Sequence, residues 1–171
     1  MTASASPSFS LHHLGRRLML LVLAVLVLLG GSWPTMAQDD DDESDEPSFI
    51  IIVHKDNPTT TIKRKRLAQI FLKKVKSWED WDDGPSALPI DWIDDAPIRA
   101  EFTERIHKKR LSAINAYWQR MIFSGRDAPP EDDFNSDLAV VTFVAANPGA
   151  VGYVSADANL GGSVKKLVVS D

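Results

Sequence analysis

The order of apolar patterns in this 171-residue chain predicts an α/β protein: a single three-layer-like lobe with a small mixed β-sheet flanked by helices. Three observations predict it. Phe49-Ile50-Ile51-Ile52-Val53-His54 is a continuous run rich in β-branched residues, the mark of a strand covered on both faces. The middle of the chain then repeats apolar residues at helical spacing. Near the end, Ala145-Ala146-Asn147-Pro148-Gly149-Ala150 reads as a helix exit, and Val151-Gly152-Tyr153-Val154 leaves it as a buried strand.

Taken in order, the 49–54 strand is followed by a loop, Lys55 to Thr60, that turns at Asn57-Pro58. Thr61 is the expected N-cap of a helix running from Ile62 to about Lys74, with Leu67, Ile70 and Phe71 on its apolar face. Its other face carries Lys63, Arg64, Lys65, Arg66, Lys73 and Lys74, either a solvated stripe or a contact for an acidic partner or a membrane surface. Trp78 and Trp81 bracket Glu79-Asp80; they either seal a core edge or form a sugar platform. Leu88-Pro89-Ile90-Asp91-Trp92-Ile93 is a second strand, and Asp94-Asp95-Ala96-Pro97 opens a helix with an Asp as cap and Pro97 in its first turn. Ile98, Phe102 and Ile106 point it inward.

A further helix after Ser112 carries Ile114, Tyr117, Trp118, Met121 and Ile122 on one stripe, and ends at Phe123-Ser124-Gly125-Arg126. Asn135-Ser136 caps the next, with Leu138, Val141, Val144 and Ala145 at helical spacing. Pro148-Gly149 closes it, Gly149 being free to take the positive φ of a helix exit. Strands at 151–155 and 167–169 complete the predicted order β-α-β-α-α-α-β-β.

The N-terminus reads as an export signal: Arg16-Arg17, an apolar run from Leu18 to Leu29, and Thr35-Met36-Ala37 with small residues where a signal peptidase reads. As a helix that run would span only about 18 Å, short of the roughly 30 Å hydrocarbon layer. The expected division is therefore a signal peptide at 1–37, an acidic disordered leader at 38–47 and a folded domain at 48–171, placed in the periplasm by a cleaved signal and with no membrane insertion afterwards. The leader holds seven acids in ten positions and lacks the ligand alternation of a calcium loop. Residues 48–171 balance 17 Lys and Arg against 17 Asp and Glu, so nothing in the charge favours nucleic acid. There is no cysteine, which excludes disulfides, thiolate metal sites and a cysteine nucleophile.

No catalytic constellation is legible. Only His54 and His107 follow the signal, without metal spacing, and no nucleophile elbow or Walker loop exists. No enzyme, metal or cofactor is expected. An anion site is the available chemistry: Ile98, Arg99 and Ala100 lie in the first turn of a helix, where free N–H groups and the helix dipole favour negative charge and Arg99 adds a bidentate donor. Asp94 and Asp95 oppose it, and the alternative pairs Arg99 with Asp95 or Glu101. Ser124 and Arg126, in a small turn, and Ser136, at another helix start, complete the candidate ligand-binding set.

Leu67-Ala68-Gln69-Ile70-Phe71-Leu72, Trp78, Pro97-Ile98-Arg99-Ala100-Glu101-Phe102, Tyr117-Trp118, Phe123-Ser124-Gly125-Arg126, Pro129-Pro130 and Asn147-Pro148-Gly149-Ala150-Val151-Gly152-Tyr153 occur in this order. In these pieces the chain resembles the phosphate ABC transporter substrate-binding protein family, of the type 2 periplasmic-binding fold, in its short single-lobe form. The resemblance implies a solute-binding module for phosphate or another small oxyanion, with an ABC permease or a periplasmic protein as partner. It also implies a Ser-Gly-Thr loop preceded by an Arg, where this chain has Ala96, Pro97, Ile98 and Trp92. A second reading keeps the fold as an adaptor that has lost its ligand.

Overall fold

The computed structural model describes residues 46–171. The signal peptide and most of the acidic leader, as read from the sequence, lie outside the described residues. Those described form a mixed sheet of six strands in the order β2-β6-β1-β5-β3-β4. The strands are β1 (Phe49–His54), β2 (Thr61–Lys63), β3 (Leu88–Trp92), β4 (Glu131–Phe134), β5 (Ala150–Ser155) and β6 (Val164–Ser170). The helices are α1 (Arg64–Phe71), α2 (Pro97–Phe102), α3 (Leu111–Phe123) and α4 (Asp137–Ala146). The α/β class and the mixed sheet are as the sequence predicts.

β1 is a central strand, antiparallel to β5 on one side and β6 on the other, which is why its apolar run is continuous. β3 pairs in parallel with both β4 and β5, so these three strands end on one common edge. The two faces of the sheet are read off β5. Tyr153 points to one side, where its ring stacks on Phe102 with centroids 3.9 Å apart and meets Phe49 and Phe71. Gly152 points to the other, where a Cβ would lie 2.9 Å from Val140 of α4 and 3.1 Å from Ile90. A side chain there would push α4 off the sheet.

Several boundaries differ from those the sequence predicts. Thr61 is not a cap: Thr61–Lys63 pairs with Val168–Ser170 as a short strand that buries Ile62, and α1 starts only at Arg64. The cap of α2 is Ala96 with no side-chain hydrogen bond, rather than an Asp, although Pro97 does open the helix. α2 runs directly into a π-helical turn, Thr103–His107, which stops at Lys108 in a left-handed conformation (φ 53°). α3 begins at Leu111; its stripe buries Ile114 and Trp118 but leaves Ile122 54% exposed. Ser136 caps α4 as expected, accepting from the Ala139 N–H, yet Leu138 is 75% exposed. β4 is a strand the sequence hides, because Glu131-Asp132-Asp133-Phe134 offers three acids and one buried ring.

Gly149 also serves a different purpose from the one predicted. Among the described residues the glycines with positive φ are Gly125 and Gly161. Gly149 is needed for close approach: a Cβ there would lie 2.2 Å from the Ser86 carbonyl oxygen. Its own carbonyl accepts from the Leu88 N–H at 2.9 Å and from Trp78 Nε1 at 3.3 Å. Trp78 is thereby fixed in the core edge. Much of the basic stripe is spent internally: Arg64 donates to the Ile106 carbonyl, Arg66 to that of Ser77 and Lys73 to that of Pro129.

Candidate functional site

Open α/β sheets hold ligands beyond the carboxyl ends of parallel strands. Here that edge is built from Trp92 at the end of β3 and Ile93 after it, Asn135 after β4 and Ser155 at the end of β5. All four line one pocket of about 550 Å³, which the first turn of α2 (Ala96, Pro97, Ile98) and Ser48 close from the side. Its charged lining residues are Asp95 and Glu101, both acidic. Glu101 accepts from the Ser48 N–H at 3.0 Å and from the Ser48 hydroxyl, and pairs with Arg105 at 3.0 Å. Partial burial works to raise its carboxyl, but the Ser48 hydrogen bonds and Arg105 outweigh it and hold the group below the usual carboxylate range.

Arg99 belongs to a different environment. It is 3% exposed and faces three carboxylates: Asp91 at 3.3 Å, Asp94 at 3.0 Å and Asp132 at 3.5 Å. Its guanidinium also donates to the Trp92 carbonyl. The cluster continues inward. Tyr153 donates its hydroxyl to Asp91, the Trp92 N–H donates to the same carboxylate at 2.9 Å, and Trp92 Nε1 donates to the Tyr153 carbonyl at 2.9 Å. Burial pushes the Asp91 carboxyl up despite Arg99 beside it, and burial with Asp91 as neighbour pushes the Tyr153 hydroxyl far up. Chemically this is a pinned polar joint between β3, β5 and α2.

The six residues predicted from the sequence are thus dispersed. Ile98 lines the pocket at the strand ends, as does Asn135. Arg99 lines a separate hollow of about 160 Å³ together with Asp94, Trp118 and Asp132. The Arg99 N–H turns back to the Ala96 carbonyl at 3.0 Å. Ala100, Ser124, Arg126 and Ser136 are exposed and line neither cavity. The Ser124 hydroxyl donates to Met121 within its own helix end. Arg99 pairs neither with Asp95 nor with Glu101, its expected surface partners; Asp91 and Asp132 take that place. Ser48, Glu101, Asp91 and Tyr153 were missed, since strand ends meet here from segments far apart in sequence.

His54 is accounted for locally, its Nδ1 accepting from the Asp56 N–H at 3.1 Å. His107 is pushed down to about 4 by burial and by Lys109 and Lys74 nearby. Among the described residues there is no group of His, Asp and Glu able to hold a metal ion, and no helix long and apolar enough to cross a membrane.

A small α/β lobe with an open pocket at the carboxyl edge of its parallel strands has the architecture in which such sheets place ligand sites. The chain belongs to the family described as PBP superfamily domain, which it matches over residues 48–168. No curated protein matches it in sequence. Similar solved structures include an ABC-type phosphate transport receptor from Vibrio cholerae, at 21% identity and a TM-score of 0.55, covering 71% of this chain and 46% of the receptor. A Clostridium perfringens protein assigned as a phosphate ABC transporter substrate-binding protein, with bound phosphate, is 19% identical with a TM-score of 0.54, over 71% of this chain and 44% of that one. PstS from Borrelia burgdorferi is 15% identical with a TM-score of 0.52, over 72% and 47%. These likenesses establish the shared fold. The chain spans less than half the length of those proteins.

Proposed function

We propose that this chain is a non-enzymatic solute-binding-type module of the periplasm, whose ligand edge is the pocket between Ile98, Asn135 and Ser48. The family match and the position of that pocket support the reading. The similar phosphate receptors make phosphate the first solute to test and an ABC permease the first transporter partner.

The observation that shapes the reading is the state of Arg99. A guanidinium shared among three carboxylates and a carbonyl is committed, and the pocket beside it is lined by Asp95 and Glu101. Any oxyanion bound here relies on the Ile98 N–H and on the side chains of Asn135 and Ser155, because Ser48 already donates both its N–H and its hydroxyl to Glu101. Neutral donors in an open pocket give weak affinity, about millimolar or weaker. The same observation favours the second reading, an adaptor that keeps the lobe and works through its surfaces.

Titration calorimetry of the chain from Gln38 with phosphate tests both. Weak heat that survives Arg99→Lys but falls with Asn135→Ala supports the pocket. Micromolar binding lost in Arg99→Lys overturns the committed arginine, and silence up to tens of millimolar leaves the adaptor.

A further inference from the structure

At the same edge of the sheet as the ligand pocket, but on the other flank of β1, two strands that begin as partners part company. β1 and β6 pair from Val164 to Leu167, the last pair being Ile51 with Leu167. Beyond it β6 turns to β2, with Val168 to Ser170 aligned on Thr61 to Lys63, while Phe49 and Ile50 stay with β5. A cleft of about 620 Å³ opens where the strands diverge, and Ile50, Val168 and Val169 line it.

The rim is mostly basic. Arg64, Arg105, Lys108 and Lys166 stand around the cleft against Glu46 and Asp171. Arg105 is engaged by Glu101 at 3.0 Å and Arg64 by Asp171 at 3.5 Å, the latter carboxylate fully exposed. Lys108 and Lys166 are exposed and make no ion pair among the described residues. Lys108 stands at the left-handed stop of the π-helical turn and continues into Lys109 and Arg110, which extend the positive surface through an adjoining hollow. Val168 is 53% exposed on the cleft wall.

We propose that this cleft is a docking groove for an acidic, extended peptide segment of a partner protein, which adds its main chain between β1 and β6. Three features fit that occupant together. Diverging strands offer a main-chain edge, which a peptide matches by strand addition and a lipid surface does not. Alternating side chains of an added strand point to opposite faces, so one set meets Ile50, Lys166 and Val168, which share a face by the β1–β6 register, while the other turns toward Lys108 at the end of the π-helical turn. The excess of cations around the rim selects carboxylates on the incoming segment. The cleft is separate from the ligand pocket, although the Glu101–Arg105 ion pair joins their walls, and the docking holds whether or not that pocket binds a solute.

The probe is an acetylated octapeptide alternating glutamate and valine, titrated into the ¹⁵N-labelled chain at low salt. Amide shifts should concentrate at Ile50, Lys166, Val168 and Val169. Combining Lys108→Glu with Lys166→Glu should weaken binding about tenfold, in line with two desolvated charge contacts, and raised salt should weaken it similarly. A peptide N-methylated at alternate residues should lose binding while keeping its charge. Equal binding by the glutamine-for-glutamate peptide, or by the N-methylated one, overturns the proposal. So do shifts confined to the Ile98 pocket, or shifts at these amides with phosphatidylserine vesicles but not with peptide. The glutamine and N-methyl arms use the unaltered chain, so they decide the matter even if the double variant fails to fold.

Discussion

Arg99 shows how one buried charge organises its neighbours. Its guanidinium ties the end of β3 to α2 through Asp91, the Trp92 carbonyl, Asp94 and Asp132. Removing it takes the cation from Asp91, a carboxyl that burial already pushes up, at 8% exposure. Arg99→Ala should therefore cost about 3–5 kcal/mol in urea unfolding, and Asp91→Asn added to it should recover part of that loss. A cost below about 1 kcal/mol would show that the cluster is solvated in practice. His107 makes a separate prediction about pH. Its folded pKa of about 4 lies below the ordinary 6.5, so the unfolded chain takes up the proton first as pH falls. Stability contributed by the neutral ring is fully present above about pH 6.5 and is lost as pH drops toward 4, by up to about 3 kcal/mol. His107→Phe keeps the edge contact to Phe102 and should flatten the unfolding midpoint between pH 6.5 and 4.

At the scale of elements, the glycines of the 149–152 segment decide how closely layers approach. Gly152→Ala puts a methyl 2.9 Å from Val140 and should destabilise by about 1–3 kcal/mol, with α4 displaced from the sheet. Gly149→Ala is harsher, because its contact at 2.2 Å is the Ser86 main chain, which cannot rotate away. Thermal unfolding should rank Gly149→Ala below Gly152→Ala, and the reverse order would mean that the Ser86 loop yields more readily than α4. The sequence made this segment legible as a helix exit and a buried strand, since Pro and an apolar run act locally. It misread the role of Gly149, because a close approach by Ser86 leaves no local mark. The same limit explains β2 and β4. Three residues at Thr61 and an acidic tetrad at Glu131 become strands only because β6 and β3 lie alongside them. Ser136 was recognisable as a cap from its own short-range chemistry; the carboxylates around Arg99 were not, since Asp91 and Asp132 approach it from two strands that are distant in the chain.

For the whole molecule, charge is partitioned along the sequence and across the folded surface. The ligand pocket and the separate hollow at Arg99 gather Asp94, Asp95, Glu101 and Asp132, while the neighbouring cleft between β1 and β6 gathers Arg64, Arg105, Lys108 and Lys166. These oppositely charged regions cancel within residues 48–171, which hold 17 basic and 17 acidic side chains. A neutral protein with complementary patches has little long-range repulsion to keep copies apart, and such surfaces associate at low ionic strength. The acidic residues 39–46 change that balance by supplying seven negative charges. A chain starting at Ser48 should therefore scatter more light at neutral pH and low salt than one starting at Gln38, and added salt should disperse it by screening the patches. Equal scattering by both chains would mean that the patches do not drive association. Salt that worsened the scattering would point instead to the exposed Ile122, Phe123 and Leu138 as the contact.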